Sequence, residues 1–192
     1  MSVIRNLFAL IGLLAVIVVG TCIVKVKGEL AHFDADAPRV YKELAQNILK
    51  HRNGAEATVW KVPVEEGVSA DDVEEAMKFV ANELNISNVG ELPLSKDVEA
   101  KSGKPYRFVK IFMFCNSLTA AQMMDYSDAF SAYLPCRITM VEDKQGKLWL
   151  MSLNMDLMIH GGEPLPPTLK AESLKVKKII LEIMHRGASG EF

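Results

Sequence analysis

Three residues with soft or borderline donor atoms lie close together near the end of the chain. Met155, Met158 and His160 form the run M-x-x-M-x-H, followed at once by Gly161-Gly162. Thioether sulfur and imidazole nitrogen suit copper(I) or a haem iron, and the two glycines let the backbone fold around such a centre. The competing reading is packing. Methionines fill irregular gaps in cores and dimer interfaces, and a histidine at this place can cap a turn. No C-x-x-C-H run exists, so covalent c-type haem is excluded.

The second chemical pair is Cys115 and Cys136. One ends a strand-like segment and the other begins the next, with a helix between them. If these strands are neighbours, a βαβ-like crossover brings both sulfurs to one end of the sheet. Such a pair can form a disulfide or serve as a thiol site for metal or sulfur transfer. It can equally be two inert thiols, because free cysteine is among the most buried residue types. Neither cysteine has zinc-type spacing.

Little else suggests catalysis. Asp125 and Asp128 on one helix, and Glu142-Asp143 in a turn, read as ordinary surface carboxylates. His32, His51, His160 and His185 share no metal-ligand spacing, and there is no G-x-G-x-x-G, Walker or H-E-x-x-H motif. No catalytic residue is assigned, and an enzyme is not the expected reading.

These residues need elements to hold them, and the N-terminus supplies the most distinctive one. Leu7 to Val24 contains no charge. At about 1.5 Å per residue that run spans roughly 27 Å, close to the hydrocarbon thickness of a bilayer. A cleaved signal peptide has a shorter apolar region and a small-residue cleavage site, whereas this run ends Val-Gly-Thr-Cys-Ile-Val-Lys, with Cys22 inside it. Residues 1–27 are therefore expected to be an uncleaved single-pass anchor in the inner or cell membrane. Arg5 before the run favours export of the domain to the periplasmic side, while Lys25, Lys27, Arg39 and Lys42 argue the other way by the positive-inside rule; export is the adopted expectation.

The whole chain of 192 residues carries a formal charge of −2, and setting aside Arg5, Lys25, Lys27 and Glu29 leaves −4 for the rest. A mildly acidic domain without a basic cluster is no nucleic-acid binder. At 49% hydrophobic and 24% charged residues, wholesale disorder is excluded too.

Past the anchor, residues 28–37 read as a short polar linker, followed by a helix with Asp36 as N-cap, Pro38 in its first turn and Asn53-Gly54 as its stop. Residues 28–54 thus form linker and helix, and residues 55–192 the domain proper. Ala57–Val62 reads as a strand. Ser69 and Asp72 make a capping box for a helix with the stripe Val73, Met77, Val80 and Leu84. Glu91–Leu94 is a candidate short strand, and Lys101-Ser-Gly-Lys104 a turn. Tyr106–Cys115 is strand-like on both faces. Thr119 and Gln122 suggest a second capping box, with Leu118 and Met123 as a staple, for a helix running to Pro135. Cys136–Glu142 and Leu148–Leu153 flank a hairpin turn at Asp143–Lys147, and a last helix is expected from about Thr168 to Arg186, ended by Gly187. The order implies a two-layer α/β (α+β-like) domain with a mixed β-sheet, preceded by one transmembrane helix.

Phe-Cys-Asn at 114–116, a helix, Leu-Pro-Cys-Arg at 134–137 and the hairpin Val-Glu-Asp-Lys-Gln-Gly-Lys-Leu-Trp together resemble the family known as domain of unknown function 302. The resemblance spans roughly Ala57 to His160. It implies a compact two-layer fold that tends to form homodimers, and no established activity, catalytic residue or cofactor. The tail from Asn154 resembles a branch associated with sulfur-oxidising bacteria, which implies a setting in sulfur metabolism.

The functional expectation is a membrane-anchored, homodimeric, non-catalytic binding protein. Its candidate ligand is a metal, a haem or a sulfur species near Met155, Met158, His160, Cys115 and Cys136. Two alternatives stand beside it: a structural or accessory subunit of a membrane protein complex, and a thiol-based sulfur carrier.

Overall fold

A computed structural model describes residues 2–191. Helix α1 runs from Ser2 to Leu30, so residues 28–30 continue the apolar helix instead of forming a linker. A tight turn at residues 31–36 leads into α2 (Ala37–His51), which closes on Arg52 in the left-handed region. The side chain of Asn53 accepts from the Ala55 amide and caps the single turn α3 (Gly54–Ala57). Ala57 thus belongs to that turn, and β1 is Val59–Pro63.

The capping box at Ser69 is present: its hydroxyl accepts from the Asp72 amide while the Asp72 carboxylate accepts from the Ser69 amide. It starts α4 (Ala70–Glu83), whose Val73, Met77 and Val80 are fully buried. Next come β2 (Ser87–Leu92), earlier than the candidate strand at Glu91–Leu94, and α5 (Leu94–Ser102), a helix the sequence did not announce, closed by Gly103 at φ 66°. Strand β3 is Val109–Cys115 and α6 is Ser117–Tyr126. The cap of α6 is Asn116, whose side chain accepts from the Thr119 amide at 3.1 Å. The expected staple is absent, since Leu118 is 79% exposed. The chain extends at Ser127 and re-forms a 3-10 helix over Asp128–Tyr133, so the expected single helix is two pieces.

Strands β4 (Cys136–Glu142) and β5 (Leu148–Leu153) match the expected hairpin. Asp143 organises its turn by accepting from the amides of Gln145 and Lys147 and from the Trp149 indole. A short helix α7 (Asp156–His160) and the long α8 (Pro167–Ser189) complete the chain. Helix α8 runs past Gly187 and is capped by Gly190 at φ 66°. Gly187 instead lies where a Cβ would overlap the Met77 side chain, so it sets the approach of α4 and α8.

The five strands form one sheet in the order β1-β5-β4-β3-β2, and each neighbouring pair is antiparallel. The two-layer α/β class is as expected, while the sheet is antiparallel rather than mixed. The physical reason is the β3–β4 connection. Residues 116–135 cap the end of the sheet they leave and return into it there, without crossing to the other end. Strand alternation then places Phe112, Phe114, Ile138, Met140 and Leu150 on the face covered by α4 and α8, where they join Val80, Ile180, Ile183 and Met184 in one core. The opposite face carries Val59, Ile111, Val141 and Met151, all partly exposed, and Leu153, at 40% exposure.

Candidate functional site

The antiparallel topology gathers the start of β1, the end of β3, the start of β4 and the end of β5 at one end of the sheet. Helices α6 and α7 follow directly on two of these strand ends. Between them opens a cleft of about 490 Å³, lined by Cys115, Met123, Cys136, Met151, Met155 and Met158, together with apolar side chains such as Phe114, Leu134 and Val176. Six sulfur-bearing residues therefore border one cleft around the end of the sheet, Cys136 from the core face and Cys115 and Met151 from the other. The polar lining is sparse, with Asn116, Thr119, Arg137, Thr139, Tyr133 and Ser152 contributing.

The two cysteines are free. Phe114 is the register partner of Cys136, while Cys115, one residue on, is the partner of Ser87. Successive strand residues point to opposite faces, so the two thiols leave the sheet on opposite sides and a disulfide would require backbone movement. A parallel crossover would have put them at opposite ends. It is the antiparallel pairing that makes them neighbours. Burial pushes the Cys136 thiol up to about 11, helped by the nearby Cys115, and burial likewise raises Cys115. Both are thiols, not thiolates, at neutral pH, which makes them poor nucleophiles.

The M-x-x-M-x-H run is divided. Met155 at the N-cap of α7 and Met158 within it line the cleft, and Met155 is itself buried. His160 is not among the lining residues. Its ring is buried and faces away toward the turn after α1, with Nδ1 3.1 Å from Asp34 Oδ1 and 3.7 Å from Asp36 Oδ2. Helix α7 is held at both ends by lysines seven residues apart on α8. Lys177 donates to the buried Asp156, and Lys170 donates to Asp34.

Asp34 is the residue that sequence reasoning missed. Its carboxylate is 1% exposed, and it accepts from Lys170, from the Asp36 amide at 3.0 Å and from His160 in its N–H tautomer. Burial would raise its pKa, but these hydrogen bonds outweigh burial and hold it at about 2. Two further bonds reinforce the junction: the Asp34 amide donates to the Gly162 carbonyl at 2.8 Å, and the Tyr41 hydroxyl to that of Gly161 at 2.5 Å. Donor atoms of Asp34, Asp36 and His160 lie within 4.8 Å of one another, a grouping of the kind that holds a metal. Here the Lys170 ammonium already supplies the positive charge, so the cluster is a charge-satisfied clasp.

The profile of "Domain of unknown function DUF302" matches residues 60–186. The chain belongs to this family. A crystal structure titled as an uncharacterized conserved DUF302 protein from Bacillus stearothermophilus superposes with a TM-score of 0.55 at 14% identity, covering 67% of this chain and 97% of that one. At that identity the likeness shows the fold alone. No curated protein matches. The DUF302 match covers the cleft, His160 and Lys170 but begins after Asp34. The clasp therefore joins the DUF302 domain to the segment that precedes it.

Proposed function

We propose that this DUF302 protein is a membrane-anchored, non-catalytic binding protein whose cleft holds a soft, weakly hydrated ligand, copper(I) first and haem second. The observation that carries this reading is that six sulfur-bearing residues border one largely apolar cleft. Thioethers bind copper(I) without first losing a proton, so Met123, Met151, Met155 and Met158 are the primary donors, and the neutral Cys115 and Cys136 are reserve ligands. His160, engaged by Asp34, supports α7 and does not ligate. The thiol-carrier alternative is disfavoured because burial keeps both thiols protonated.

The anchor is α1, long and apolar enough to cross a membrane. Arg5 ahead of the span supports an exported domain, against the opposing charges of Lys25, Lys27, Arg39 and Lys42. A second reading, a homodimer or an accessory subunit of a membrane complex, is favoured by the partly exposed apolar residues on the sheet face away from α4 and α8. Metal analysis and the absorption spectrum of protein purified from membranes test the first reading. Copper, or a Soret band, supports it; protein devoid of both that also fails to take up added copper(I) or haem overturns it.

A further inference from the structure

We propose that α2 is a membrane-surface helix, its outer strip seated among anionic lipid headgroups beside the span. This rests on the reading of α1 as a membrane anchor. The last uncharged residue of the span is Val24, and α1 continues only to Leu30. At about 1.5 Å per residue, Leu30 stands roughly 9 Å beyond the hydrocarbon edge, just outside a headgroup layer about 5–7 Å thick and within reach of long side chains from it. The six-residue turn to Ala37 is held by the Asp34 clasp, so α2 begins at that level and cannot drift from the domain.

The surface of α2 fits this placement. At 100° per residue, Val40 and Leu44 centre the side that meets the protein, and Val40 is buried. The flank carries Tyr41, Ile48 and Leu49, exposed by 43, 44 and 78%. Lys42 borders this strip and Arg52 caps the helix on the same side, while Arg39 is paired with Asp36 and Glu43. An apolar strip with basic margins is the composition of an interfacial helix, whose lysine and arginine stems extend toward the headgroups. In water, the same strip would leave Leu49 almost wholly solvated.

The test uses the full chain in nanodiscs that contain anionic lipid, with brominated acyl chains as quenchers. Tryptophan is introduced by Leu49→Trp or, on the other side of the helix, Glu43→Trp, both exposed positions. The emission that Leu49→Trp adds over that of the native Trp60 and Trp149 should lose about half its intensity or more to brominated lipid, and that added by Glu43→Trp should lose almost none. Adding Lys42→Glu should reduce the quenching at position 49. Unquenched emission at 49 from a chain that does enter nanodiscs, whether shifted as in water or as in a protein contact, overturns the proposal and leaves the anchor standing. A chain that never enters the nanodiscs overturns both.

Discussion

Lys170 on α8 donates to Asp34, a carboxylate 136 residues earlier in the chain and 1% exposed. The pairing welds the turn after α1 to the DUF302 domain. Removing one member of a buried pair leaves the other charge uncompensated, so Asp34→Ala should cost about 3 kcal/mol at neutral pH, measured by urea unfolding.

The same residue sets an acid limit. Its pKa falls from 3.8 unfolded to about 2 folded. A depressed carboxylate stabilises the fold above its unfolded value, and that contribution disappears as the pH drops through the folded value. Stability worth about 2 kcal/mol should be lost between about pH 4 and pH 2. Asp34→Asn should flatten the acid limb of the stability profile in that window. An unchanged limb would show that the clasp does not form.

Gly187 meets Met77 where α8 crosses α4. On helix propensity alone, Gly187→Ala should stabilise by about 1 kcal/mol. Overlap with a fully buried side chain should reverse the sign, giving a net loss of about 1–3 kcal/mol. Gly187→Ala combined with Met77→Ala should cost less than the two single losses added together, which a thermal unfolding series of all three variants would detect.

The thiols should be sluggish. Cys136, pushed up to about 11, holds only about a thousandth of its population as thiolate at pH 8. Alkylation of the folded protein at that pH should be far slower at Cys136 than at a free thiol, rise steeply with pH, and become rapid in denaturant. Mass spectrometry of the labelled peptides reads each site. Fast labelling of Cys136 at pH 7 in folded protein would revive the sulfur-carrier reading.

Local signals were legible in the sequence where they suffice to determine structure. The hairpin at Asp143, the Ser69 capping box and the stripe Val73, Met77, Val80 all rest on residues a few positions apart. Helix α5 was not legible, because Pro93 precedes it and only Ser95 is buried along it. Asn116 took the cap of α6 because the chain leaves β3 one residue before the helix, earlier than the Thr119 box implied. The cysteines were expected at one end of the sheet for the wrong reason, a crossover in place of antiparallel return. His160 read as a ligand beside Met155 and Met158, yet on α7 its ring faces the opposite partner, Asp34. A contact across 126 residues leaves no local pattern to read.

The central claim is that sulfur from α7 holds a soft ligand in the cleft. It is tested most directly by copper(I) titration of the full chain in detergent, against a competing chelator, for the wild type and for Met155→Leu with Met158→Leu. Leucine keeps most of the packing and removes the donors. The expected result is saturable, stoichiometric binding in the wild type and at least about tenfold weaker binding in the double variant, a difference of about 1.4 kcal/mol, with His160→Ala binding as the wild type does. Absence of copper(I) binding in the wild type, or equal affinity in the double variant, would contradict it.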